Sequence, residues 1–118
     1  MNGGLYIAAF HLAADRTIRV GRLGRIEFKR GVYLYVGSAR RGLTARLARH
    51  GRRGKSLRWH IDYLSTKAAM LGAIVVPWRR DGECALAEEV GRLYPRAVAA
   101  FGASDCRCGG HLFYAGRW

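Results

Sequence analysis

Apolar and aromatic residues dominate positions 4–13, and the run predicts a strand. Asp15, in the stretch 14–16, predicts a turn held by a local side-chain hydrogen bond. Residues 17–20 and 25–28 alternate in short segments around Gly21 and Gly24, which predicts strands of a hairpin or meander. Aliphatic and aromatic residues fill 31–37, a further strand ending at Gly37 and Ser38, where backbone can approach a ligand closely. Leu43 and Leu47, with Ala45 and Ala48, fit a helix over 43–49 that Gly51 and Gly54 break. Leu57, Ile61 and Leu64 predict a second short helix. The apolar run 69–76, closed by Pro77, predicts a buried strand. Asp81 and Gly82 form a turn, with Asp81 placed to cap a helix over 83–94. Leu86, Val90 and Leu93 are its stripe, and Pro95 follows its end. In the loop-rich tail, Leu112–Tyr114 predicts a short strand.

Strands followed by two helices, a strand and a helix predict an α+β fold: a small, mainly antiparallel sheet flanked by helices. At 118 residues the chain predicts one domain, 1–118, and no low-complexity linker divides it. The longest apolar stretches, such as 71–78, are too short to span a bilayer, so no membrane role is expected. The first residues lack the charged start and apolar core of a signal peptide, which predicts a cytoplasmic protein. Three cysteines cannot all pair within one chain, and reduced thiols are expected. Neither a P-loop nor a dinucleotide fingerprint occurs.

Charge narrows the class of partner. Lys and Arg number 21 against 8 Asp and Glu, a net charge of +13. A small domain this basic points to a polyanion. The charge concentrates in Arg40, Arg41, Arg46, Arg49, Arg52, Arg53, Lys55 and Arg58, with His50 and Trp59 among or beside them. No acidic residue interrupts the run. A phosphate backbone answers such a cluster through counterion release, and a solvated basic face is the plainer alternative. On a helix, Arg46 and His50 share a face one turn apart, a phosphate clamp beside a proton carrier.

The order of motifs carries a resemblance. Gly4-Leu5-Tyr6 opens the first strand, Tyr35-Val36-Gly37 ends a later one, Arg46 and His50 follow on a helix, and Glu83 begins another. In this the chain resembles the GIY-YIG nuclease superfamily. The strings YLYVGSA (33–39), WHIDYL (59–64), Glu83-Cys84 and FGASDCRCGGHLFY (101–114) are similar to its Uri-type branch of small predicted endonucleases, long filed as a domain of unknown function. The resemblance spans nearly the whole chain.

It implies a central antiparallel sheet flanked by helices, and metal-dependent endonuclease activity that hydrolyses DNA phosphodiesters. It implies that Tyr6 and Tyr35 are the two strand tyrosines, one of them helping to deprotonate the attacking water. Arg46 would hold the scissile phosphate, His50 would take or relay the proton, and Glu83 would bind one Mg²⁺ or Mn²⁺ ion. One carboxylate suffices for magnesium, which keeps several waters and takes a phosphate oxygen. Gly37, Ser38, Arg40, Arg41, Arg49, Arg52, Arg53, Lys55, Arg58, Trp59 and His60 are the candidate DNA-binding residues.

Each candidate has a structural rival. Glu83 borders the apolar stripe of its helix whereas Glu88 faces away and Glu89 flanks the other edge. Its rival role is to favour the helix N-terminus electrostatically. Tyr6 and Tyr35 can be ordinary sheet aromatics, and Tyr33 shares a strand face with Tyr35. Asp62 either faces substrate or pairs an arginine. Cys84, Cys106, Cys108 and His111 are zinc-ligand types, against the reading of buried free thiols. The segment 17–28 is an insertion between the two tyrosines relative to many superfamily members. The superfamily's late Asn has no counterpart here, and Ser104, Asp105 and His111 are the alternatives.

No added recognition domain is visible, so low sequence specificity is expected, with damaged, single-stranded or branched DNA as substrate class. The rival functions are a non-catalytic nucleic-acid-binding module retaining the nuclease fold, and a basic RNA-associated protein.

Overall fold

The computed structural model describes residues 3–80, 82–102 and 109–117. The first strand, β1 (Gly4–Leu12), leads to a hairpin of β2 (Arg16–Arg19) and β3 (Arg25–Phe28), joined through a 3₁₀ turn at Gly21–Leu23. Then come β4 (Gly31–Ala39), α1 (Leu43–Gly51), α2 (His60–Ser65), β5 (Ala69–Val76), α3 (Gly82–Gly91) and β6 (Leu112–Tyr114). The main sheet runs β5-β1-β4-β6, each pair antiparallel, and β2 pairs β3 in a separate two-stranded sheet. The fold is α+β.

Alternation along β1 divides the interior in two. Tyr6, Ala8, Phe10 and Leu12 join Leu43 of α1, Ile61 and Leu64 of α2, and Ile18 and Phe28 of the hairpin. Leu5 and the partly buried Ile7 take the opposite side, with Leu86, Ala87 and Val90 of α3, Val36 of β4 and Phe113 of β6. A central strand therefore serves two cores with period 2. The register Tyr6↔Gly37 and Ala8↔Tyr35 sets Tyr6 and Tyr35 diagonally on one face.

Three elements depart from the pattern-based reading. The apolar run of β5 is not buried: it is the sheet's edge, and Leu71, Ile74 and Val75 are exposed. A register shift opposite Ala9 and Phe10 bulges the strand there. The second helix starts at His60 rather than Leu57, because Asp62 accepts the backbone N–H groups of Arg58 and Trp59 at 2.8 and 2.9 Å. That interaction fixes the helix start where a capping carboxylate can serve it. The third helix stops at Gly91, so Leu93 lies beyond it and is 77% exposed. The chain bends at Ala14, but not through the local hydrogen bond expected of Asp15, whose Oδ1 accepts the N–H of Arg30, across the hairpin, at 2.8 Å. Asp81 lies outside the described residues.

Candidate active site

One end of the main sheet opens into a cavity of about 200 Å³ lined by Tyr6, Tyr35, Gly37, Ser38, Arg46, Arg58, Trp59, His60, Glu83 and Gly102. Residues far apart in sequence meet there because β1 and β4 are neighbours and α1 and α3 pack on opposite faces of the sheet.

Tyr6 and Tyr35 have ring centroids 6.4 Å apart. Tyr6 can reach the cavity only because residue 37 is glycine. A Cβ there would overlap the Tyr6 ring, with Cε1 at 2.9 Å and the hydroxyl closer still. The close approach read from Gly37 is thus made by a side chain of the protein itself. Gly102 plays the matching part for Tyr35: its φ is +73°, and a Cβ would stand 3.0 Å from that ring.

Behind Tyr6 lies His50, buried, with Nε2 2.7 Å from the phenol oxygen. Its Nδ1 is buried without a hydrogen-bond partner among the described residues. Burial and the nearby Lys55 ammonium push the imidazole down to about 4, so it is neutral at pH 7. Burial raises both phenols well above their ordinary value; the Arg46 guanidinium pulls each back without offsetting that burial.

Arg46, one helical turn before His50, donates to the Ser38 carbonyl at 2.5 Å and lies 4.8 Å over the Trp59 ring. Glu83, in the first turn of α3, accepts a hydrogen bond from Ser38 Oγ at 2.5 Å through Oε1. Its Oε2 is 2.7 Å from His111 Nδ1. Burial alone would raise the Glu83 carboxyl, but His111, Ser38 and the Arg46 charge carry it below its ordinary value. It stands ionised at the cavity wall, 30% exposed.

The structure therefore places Tyr6, Tyr35, Arg46 and Glu83 on one cavity, with His50 touching it through Tyr6. Of the other candidates, Gly37, Ser38, Arg58, Trp59 and His60 also line it. His60 is anchored by the Gly102 N–H, which donates to its Nδ1 at 2.9 Å. The remaining candidates lie elsewhere. Arg49 grips Asp62 with both terminal nitrogens, at 2.7 and 2.9 Å, and Asp62 is fully buried. This settles Asp62 as the partner of an arginine. Lys55 donates to the carbonyls of Arg49 and His50 at the end of α1, and Arg53 to that of Ala68. Arg41 and Arg52 are exposed, and Arg40 lies over Trp78.

His111 entered the sequence reading as a zinc ligand or stand-in for the late Asn, and the structure puts it on Glu83. Cys84 is disulfide-bonded, where reduced thiols were expected, so its sulfur is not a thiolate donor. Cys106, Cys108, Ser104 and Asp105 lie outside the described residues. Among the described residues no three His, Cys, Asp or Glu side chains form a metal-holding group. Gly102 is the cavity residue that pattern reading missed; its only signal was a glycine after an apolar residue.

A family model described as "Domain of unknown function DUF123" matches residues 5–118. Neither curated proteins nor solved structures yield a match. The chain belongs to the DUF123 family.

Proposed function

We propose that the protein is a divalent-metal-dependent endonuclease that hydrolyses DNA phosphodiesters at this cavity. The observation that carries the reading is the convergence of a guanidinium, two phenols and an ionised carboxylate on one pocket of a strongly basic chain.

The donor chemistry fits one Mg²⁺ or Mn²⁺ ion at Glu83. The carboxylate is ionised and partly exposed, and its two hydrogen bonds leave lone pairs over. When bound, the ion would supply Lewis-acid stabilisation of the phosphate and leaving oxygen. Ser38 and His111 orient the carboxylate, as outer partners of a metal ligand do.

The chain's own groups supply the rest. Arg46 presents a planar fork to the scissile phosphate and stabilises charge that develops on it. Stacking on Trp59 holds that fork in place. Tyr6 accepts the proton of the attacking water as it passes its own to Nε2 of the neutral His50, 2.7 Å away. Burial keeps Tyr6 a protonated phenol and lowers the proton affinity of His50, so Tyr6 is no base alone and the step depends on the Arg46 charge and the relay together. Tyr35 closes the pocket wall beside Tyr6.

The test is a panel of single-stranded, duplex and branched DNAs incubated with Mg²⁺, Mn²⁺ or EDTA. Cutting that needs metal and disappears in Glu83→Ala supports the reading. Binding without cutting under every condition would leave a nucleic-acid-binding module. Tighter binding to RNA, again without cutting, would favour an RNA-associated protein.

A further inference from the structure

Two tryptophans stand near the basic run, and their surroundings differ. Trp59 is enclosed: Arg46, Arg49 and Arg58 lie 4.8, 4.5 and 5.8 Å from its ring centre. Trp59 is partly buried and faces the first cavity. Trp78 has one guanidinium near it, Arg40 at 5.7 Å, and is 47% exposed. Beside it is a second cavity of about 450 Å³, lined by Gly3, Arg40 and Trp78. That is ample space for a planar ring.

The topology sets this cavity next to the first. Ser38, which holds Glu83, is two residues before Arg40, a step of about 7 Å along an extended chain. Leu5, next to Tyr6, pairs with Val76, two residues before Trp78. By alternation Ser38 is on the α3 side of the sheet, the side of Glu83, and Arg40 follows just past the end of β4 with its guanidinium over Trp78. A chain of nucleotides whose phosphate sits at Arg46 and Glu83 would thus carry a neighbouring base past Arg40 and Trp78.

We propose that Trp78 and Arg40 form a stacking subsite for one unpaired nucleobase beside the phosphate to be cut, so that the substrate class is nucleic acid single-stranded at the cut. The inference rests on the nuclease reading for its geometry and narrows its substrate. A base paired within a duplex keeps both faces stacked on its neighbours and has none to offer the indole. An unpaired base does, and stacking on an aromatic side chain needs no particular sequence. Arg40 adds charge for the adjoining phosphate and polarises the indole face.

The test measures binding in EDTA by fluorescence anisotropy, with labelled oligothymidylate, an abasic strand of the same length and a blunt duplex. Wild-type protein should prefer oligothymidylate to the abasic strand by about ten-fold, the scale of one stacked base. Trp78→Ala should lose most of that preference, Trp78→Phe should keep it, and duplex affinity should stay within about two-fold in both. Thermal melting checks that both variants remain folded. An unchanged preference in Trp78→Ala overturns the subsite. If that variant also matches wild type in metal-dependent cutting of single strands, the nuclease reading stands and only the subsite fails. If wild-type protein binds none of the three ligands, both fail.

Discussion

Arg46 and Arg49 lie three residues apart on α1, and both stack on Trp59, at 4.8 and 4.5 Å. Arg49 has a carboxylate to grip, Asp62, which is fully buried and also accepts the backbone N–H groups that start α2. Arg46 donates to a backbone carbonyl and keeps its charge on the cavity wall. The same side chain on the same helix is a fold-holding group in one case and a candidate phosphate clamp in the other. The difference is the partner's charge. Lys55 is closer to Arg49 in role, since its ammonium closes the end of α1 through the carbonyls of Arg49 and His50, whereas Arg53 is exposed and gives only its Nε to Ala68. A basic run read as one DNA-facing surface is therefore two populations.

The comparison breaks most sharply at Asp62. Asp62→Ala leaves the part-buried Arg49 guanidinium without its counter-ion and the N–H groups of Arg58 and Trp59 without their acceptor, and should lower stability by about 3 kcal/mol, read by urea denaturation. Next is Arg46→Ala, which should lower the rate of the proposed cleavage by about 100-fold or more per folded molecule, with a smaller change in melting temperature. The pH profile of stability sharpens the account of His50. Its folded value of about 4 lies below the ordinary 6.5, so the unfolded chain takes up a proton first as pH falls. The contribution of the buried neutral ring is full above about pH 6.5 and is lost on descent toward pH 4, with a slope of up to about 1.4 kcal/mol per pH unit. Denaturation between pH 7 and 5 should show this slope in wild-type protein and a flatter one in His50→Gln. Lys55→Ala removes a cation from the end of α1 and should cost about 1 kcal/mol in the same assay. Smallest is Arg52→Ala. It should leave stability unchanged and, if Arg52 meets a phosphate, reduce the salt dependence of DNA binding by about one ion.

Much of the fold could be read from alternation alone. Leu112–Tyr114 is a strand as the aromatic run implied, and the segments 17–20 and 25–28 form the hairpin. β5 misled because eight apolar residues look the same at a sheet's edge as at its centre, and only pairing with β1 on one side alone distinguishes them. Leu57 fitted a helical stripe, yet a carboxylate at position 62 decided where the helix begins. At the site, Tyr6, Tyr35, Arg46, His50 and Glu83 were reached through motif order, and the fold gathers them. The supports were hidden. The contacts of Arg49 with Asp62, His111 with Glu83 and Gly102 with Tyr35 link positions 13, 28 and 67 residues apart, and no local pattern marks such pairs. Gly37 signalled close approach correctly but not that Tyr6 makes it.

The most direct measurement is single-turnover cleavage of a labelled single-stranded DNA in Mn²⁺, run with wild-type protein, Arg46→Ala and Arg49→Ala, each corrected for folded fraction. The account predicts that wild-type protein cuts and that Arg49→Ala, once corrected, stays within about ten-fold of it, while Arg46→Ala falls by about 100-fold or more. Equal rates for Arg46→Ala and wild type, or no cutting by wild-type protein, would contradict it.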